Sequence, residues 1–231
     1  MPESRRQIVS FSFFRVMPQW RLIPHAERAE HRHEFCDVVT RWNTCGSMRV
    51  VPYSTIGTRA DCDMMLWRIC YTLEELQRMT ADLLATRLGA HLAITHSLLG
   101  MTKRSRYMIT HEQHKQVEIR AIRPGEHKYL AISPLVKTAA WYNLDPDQRQ
   151  MIINDQIRAL GEYPRVKLNV IYSFGMDDQD FILAWESDSP DDLLDVAQAM
   201  RETDSNRYNQ RDTPMFTCVQ TTVDEMLERL G

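Results

Sequence analysis

Tyr172-Ser173-Phe174-Gly175-Met176-Asp177-Asp178-Gln179-Asp180-Phe181-Ile182-Leu183-Ala184-Trp185-Glu186 decides the fold. An aromatic residue closes one extended segment. A glycine-bearing acidic turn follows, and a run rich in β-branched and aromatic residues leaves it, the pattern of two strands joined by a tight turn. The pattern occurs twice. Tyr53-Ser54-Thr55-Ile56-Gly57 and Ala60-Asp61-Cys62-Asp63-Met64-Met65-Leu66-Trp67 have the same order of aromatic, glycine, acidic turn and apolar run. Each copy then enters a helix-start signature in which a hydroxyl residue precedes an acid three positions on, Thr72 with Glu75 and Ser189 with Asp192. Thr72 and Ser189 lie 117 residues apart, about half the chain, so the spacing reads as a large internal repeat.

The flanking segments extend that repeat. Ile8 to Val16 reads as a strand stopped by Met17-Pro18, followed by a helix from Pro24 to Asn43 with Phe35, Val38, Val39 and Trp42 on its apolar side. Met48 to Ile56 and Cys62 to Cys70 are strands around the Gly57 turn, Thr72 to Arg87 a helix, and His91 to Leu99 an apolar closing segment. In the second half His127 to Pro134 is a strand ended by proline, Leu144 to Leu160 a helix, Val166 to Phe174 and Phe181 to Glu186 strands, and Ser189 to Glu202 a helix. Pro214 to Val219 is a last strand, and Val223 to Leu230 a terminal helix. Each half is β-α-β-β-α-β, the ferredoxin-like order. The expected fold is α+β, with two fused ferredoxin-like units of antiparallel sheet covering residues 1–116 and 117–231, sheet to sheet as in a dimeric α+β barrel.

Composition excludes several classes. The 231 residues carry 43% hydrophobic and 26% charged side chains, ordinary for a globular protein, and a net charge of −3 without a basic stripe argues against nucleic acid as a partner. No apolar run approaches the ~20 residues of a membrane span, and the first residues lack a cleavable signal pattern. The five cysteines, Cys36, Cys45, Cys62, Cys70 and Cys218, are scattered without CxxC spacing, so reduced thiols and a cytoplasmic location are expected. Phosphate-loop, dinucleotide, HExxH and GxSxG motifs are missing.

Candidate chemistry gathers in the second half. On the helix from Leu144 to Leu160, Ile152, Gln156 and Leu160 stack on one face, so Gln156 lies in an apolar stripe. A buried amide left unpaired costs ~1–3 kcal/mol, so Gln156 is either satisfied by backbone or water or faces a ligand cavity between helix and sheet. Met101 to Gln116 is polar and basic, with Lys103, Arg104, Arg106, His111, His114 and Lys115. It is either an exposed connector or a loop that brings Tyr107 and cationic donors to a small anionic ligand. Asp177 and Asp178 are turn formers. His31 and His33 are too close together to share one helical face as metal ligands.

Several motifs together resemble the chlorite dismutase-like family, which includes coproheme decarboxylases. They are Lys137 upstream of Trp141-Tyr142, Arg149 in the next helix, Tyr172 to Phe181, and Asp212-Thr213-Pro214-Met215-Phe216-Thr217. The first half adds Phe13-Phe14-Arg15, Trp20-Arg21, Tyr53-Ser54, Gly57-Thr58-Arg59-Ala60-Asp61 and Leu66-Trp67, so the resemblance spans nearly the whole chain. It implies a homo-oligomer, usually a pentamer, and haem or coproheme in the second unit. It also implies haem-dependent oxidoreductase chemistry of the peroxidase, chlorite dismutase or decarboxylase kind. Counted from Arg149, the position of the family's axial histidine, and so of its metal ligand, is Gln156. The redox-active tyrosine of the decarboxylases falls on Ser133, and the distal arginine of the chlorite-splitting members on Asn169. Lys137, Tyr107 and Trp141 match positions near the porphyrin or its propionates. Two functions follow: a haem or coproheme pocket with altered or lost axial ligation and at most weak peroxidase-type activity, or a haem-free binding or scaffold protein for another small ligand.

Overall fold

Six segments build the first half, in chain order. β1 (Ile8–Val16), α1 (His25–Thr44), β2 (Arg49–Ser54), β3 (Met64–Cys70), α2 (Leu73–Leu84) and β4 (Leu92–Met101) come first. The second half supplies β5 (Val117–Glu118), β6 (Tyr129–Lys137), α3 (Ala139–Asn143), α4 (Pro146–Gly161) and β7 (Lys167–Tyr172). β8 (Phe181–Ser187), α5 (Pro190–Glu202), β9 (Asn209–Arg211), β10 (Phe216–Gln220) and α6 (Val223–Glu228) complete the chain. The structure is a computed structural model that describes residues 5–105, 107 and 121–231 and the backbone of 117–118, so Arg106, His111, His114 and Lys115 lie outside the described residues.

The described chain divides into two units, residues 1–99 with 218–231, and residues 100–217. This differs from the sequence halves, 1–116 and 117–231, at both ends. Gly100 to Ser105 and Tyr107 belong with the second unit. The chain's last residues belong with the first, because Val219 and Gln220 pair with Ser54 and Tyr53 on the edge of β2 and α6 packs on α1.

In the first unit the strands lie in the order β2-β3-β1-β4, with β1 and β3 antiparallel in the register Phe11↔Trp67. The pleat sorts β1 by chemistry. Phe11 stacks with Trp67 at 4.9 Å on one face, while Ser10 and Ser12 on the other accept hydrogen bonds from the guanidinium of Arg68. Thr72 caps α2 as expected, accepting from the Glu75 amide, and Gly57 turns the preceding hairpin at φ +79°, a region that favours glycine.

In the second unit the order β7-β8-β6-β9 repeats the arrangement β2-β3-β1, and Gly175 (φ +70°) occupies the turn that Gly57 holds in the first. Its core under α4 and α5 gathers Leu160, Val166, Leu193 and Val196, with Trp185, Leu168 and Val170 packed against them from the sheet. Two expectations are corrected here. Pro134 does not end β6, which continues to Lys137; the proline pairs with Ile182 and removes one ladder donor without breaking the extended backbone. Ser189 stands before α5 but makes no side-chain cap bond, although Pro190 occupies the first-turn position that suits it. The full capping box belongs to Thr222 and Glu225 at the start of α6.

Candidate functional site

A cleft of about 1270 Å³, counting its open mouth, lies in the second unit between α4, α5 and the inward face of the sheet. Helix α4 contributes Ile153, Gln156, Ile157 and Leu160, so the predicted inward face is present with Ile153 and Ile157 beside Gln156 in place of Ile152. Proline at its first turn and Asp145, whose carboxylate accepts from the Asp147 amide, fix where this helix starts and therefore which face turns inward. Gln156 is half-buried, and its amide has no hydrogen-bond partner among the described residues.

The opposite wall follows the period of two. From β7 it takes Leu168, Val170 and Tyr172, from β8 Phe181, Leu183 and Trp185, and from β6 Ser133, Leu135 and Lys137. Asn169 therefore does not face the cleft. It is fully buried on the other side of β7, where its amide nitrogen donates to Glu186 Oε1 at 2.8 Å and to the Ala184 carbonyl. Glu186 also accepts from the Gly125 and Glu126 amides at 3.0 and 3.1 Å, and burial pushes its carboxyl above the usual range. This cluster anchors the 125–126 segment to the sheet and leaves apolar side chains where a distal polar residue was expected.

Lys137, Trp141, Tyr107 and Ser133 do converge on the cleft. The Lys137 ammonium donates to the Ser205 carbonyl at 3.1 Å, to Ser205 Oγ at 2.7 Å and to Asn209 Oδ1 at 2.7 Å, and sits 4.6 Å from the centre of the Trp141 ring. Burial pushes its pKa down to about 8, against a smaller opposing pull from Asp180. Ser133 is buried on β6 opposite Leu183.

Asp180, in the deciding turn, is an organising residue that sequence reading passed over as part of an acidic loop. Its carboxylate accepts from the Lys137 backbone amide and from the Tyr142 hydroxyl, each at 2.7 Å. Burial and that hydrogen bond hold the Tyr142 phenol far above its ordinary pKa, hence protonated. Asp177 instead fixes the turn itself, holding Gln179 at 2.8 Å. Asn206, Asn209 and Asp212 also reach the cleft, from a 3-10 turn, from β9 and from the residue after it, none of which a periodic pattern announced. Among the basic residues of the polar segment, Lys103 lies over the Tyr172 ring at 5.7 Å.

For a haem, these residues fit the ring and not the iron. Apolar walls on both sides suit a planar macrocycle, and Lys137 supplies a cation for an acidic substituent. Iron needs an imidazole, thiolate or phenolate, or a thioether beside an imidazole. The helix facing the cleft offers an amide, and among the described residues no histidine or cysteine lines it. His96 is bonded to Asp61 at 2.9 Å and His91 lies beside Trp20, both in the first unit. The phenols present, Tyr107 and Tyr172, come from the 105–107 segment and from β7, and Tyr172 packs against Phe181 at 5.3 Å.

Comparison with known proteins converges on one family. The family model described as chlorite dismutase matches residues 28–221. The chain is 27% identical over 181 residues to a coproheme decarboxylase of Mycolicibacterium smegmatis, covering 77% of this chain and 75% of that protein. It is 26% identical over 207 residues to a chlorite dismutase of Ideonella dechloratans, covering 88% and 72%. The solved structure of chlorite dismutase from Candidatus Nitrospira defluvii in complex with imidazole superposes with a TM-score of 0.88 at 26% identity, over 96% of this chain and 94% of that one. The two ferredoxin-like units are thus those of the solved relatives, and the chain belongs to the chlorite dismutase family.

Proposed function

We propose that the second unit is a tetrapyrrole-binding module of the haem or coproheme type whose axial ligation has been altered, leaving the family's standard catalysis impaired. One observation carries the reading: Gln156, at the axial position implied by the resemblance, projects from α4 into an apolar-walled cleft. Haem-type specificity is supported by the relatives, one a coproheme decarboxylase and another a chlorite dismutase. Impaired catalysis is supported by the residues around the cleft. A serine at 133 cannot form the phenoxyl radical that a tyrosine forms. The β7 wall offers Leu168 and Val170, so no cation stands there to hold a small oxyanion. A homo-oligomer, by family precedent a pentamer, and a cytoplasmic location belong to the same reading. No described helix is long and apolar enough to cross a membrane.

The test is a visible-absorption titration of the purified protein with haemin and ferric coproporphyrin, repeated on Gln156→His. Saturable binding at one ring per chain, strengthened about tenfold or more by the new imidazole, supports the reading. The second reading is a haem-free protein holding another small anion. It is favoured by the three protein acceptors that already satisfy Lys137 without any ligand. It gains if neither ring perturbs the spectrum and Gln156→His changes nothing.

A further inference from the structure

We infer that the cleft is built to hold a metal-free tetrapyrrole acid in preference to its iron complex. The inference rests on the tetrapyrrole reading above and narrows its ligand class. The helix side presents the Gln156 amide between Ile153, Ile157 and Leu160, and the sheet side presents Leu168 and Val170. A ferric ring carries net positive charge at its centre unless an anionic ligand neutralises it. Moving an unpaired charge between two apolar walls forfeits its hydration without replacement. Among the described residues the lining offers no buried anion to offset it: Lys137, the buried charged residue among the lining residues, is itself a cation, and its bonds run to a carbonyl, a hydroxyl and an amide oxygen. Like charge opposes the iron centre, while the ammonium, its three N–H groups engaged, attracts the carboxylates on the ring's edge through space.

A metal-free ring meets none of that opposition. Its centre is neutral, and the carbonyl oxygen of Gln156, with no partner among the described residues, can accept from a pyrrole N–H that ring puckering tilts out of the plane toward the helix. An amide can also donate through its nitrogen to an unprotonated pyrrole nitrogen, so one side chain matches both kinds of nitrogen in the ring. Imidazole at this position would favour iron; glutamine removes that advantage and keeps a polar group suited to the bare ring.

The experiment titrates the full chain in parallel with free-base coproporphyrin and with ferric coproporphyrin. Both are read by quenching of intrinsic tryptophan emission, which Trp141 and Trp185 at the cleft make sensitive to either ligand. The Kd for the free base is expected to be lower by about tenfold or more. Gln156→His should reverse that order, and Gln156→Leu should weaken the free base several-fold with little change for the iron complex. Ferric binding as tight as or tighter than free-base binding in the unaltered protein overturns the inference and leaves the tetrapyrrole pocket standing, with another donor such as Tyr107 on the metal. Binding of neither ring overturns the tetrapyrrole reading and the inference with it.

Discussion

Lys137 and Arg68 are two buried cations, one in each unit, whose hydrogen bonds go to uncharged groups, and each carries a measurable consequence. Lys137 is 7% exposed and its pKa is pushed down from 10.5 to about 8 by burial. Between those two values the unfolded chain binds the proton and the folded protein does not, so this group adds stability as pH rises from about 8 to 10.5. The burial cost is present in full below pH 8. Urea unfolding of the native protein and of Lys137→Met across this window should show their difference shifting toward the native protein by up to about 3 kcal/mol. Differencing removes the tyrosines and cysteines that titrate nearby. A flat difference would mean that Lys137 keeps its proton to the top of the range.

Arg68 is 2% exposed, donates to Thr80 Oγ1 at 2.8 Å and Ser12 Oγ at 2.5 Å, and leaves its Nε without a partner. Burial lowers its pKa to about 10. Thr80 already donates to the Leu76 carbonyl, and Ser10 Oγ lies 3.5 Å from Ser12 Oγ, so the hydroxyls an apolar replacement uncovers keep partners of their own. Arg68→Met should raise Tm by about 2–6 °C in scanning calorimetry, since a well-packed apolar side chain often outperforms a buried ion lacking an opposite charge. A drop of several degrees would assign the arginine a net stabilising role. Neither residue's environment was legible in the sequence. A lysine beside a Trp-Tyr pair and an arginine within Trp67-Arg68-Ile69 look like surface charges until the sheet places them. Gln156 was legible because helical spacing alone set it among apolar neighbours.

Among the elements, period-two alternation found the strands, and the glycine turns fixed the two hairpins, because both signals are local. The pleat was harder. Carrying the distal position to Asn169 by residue count put it one step out of phase with the inward-facing Leu168 and Val170, and a single residue's shift exchanges the two faces of a strand. The short β9 and the turn before it escaped notice because their order comes from contacts with β6 and Lys137. Gly100 shows the same limit. A Cβ there would lie 2.6 Å from both Ile171 Cγ2 and the Tyr172 carbonyl oxygen, so β4 can approach β7 only without a side chain. Gly100→Ala should cost about 2 kcal/mol or more, seen as a lower denaturation midpoint with an unchanged slope. Tyr172 lines the cleft, so ligand binding should weaken in the same variant.

For the whole molecule, the 117-residue repeat announced two units, yet the boundary could not be read from it. Assignment of the last fourteen residues depends on long-range contacts: Met226, Leu227 and Leu230 are almost wholly buried, α6 packs on α1, and Trp20 Nε1 donates to the Gly231 carbonyl at 3.1 Å. No local pattern links residue 227 to a helix some two hundred positions earlier. The linkage predicts where a lesion is felt. Leu227→Ala removes a side chain that is 1% exposed and should destabilise by about 2–4 kcal/mol. Hydrogen exchange followed by mass spectrometry should then show protection falling in α1 and β2, which share a unit with α6. The core around Leu160, Val166 and Val196 should exchange as before, and the affinity of the cleft for its ligand should hold. Equal loss of protection in both units would mean that they unfold as one cooperative body.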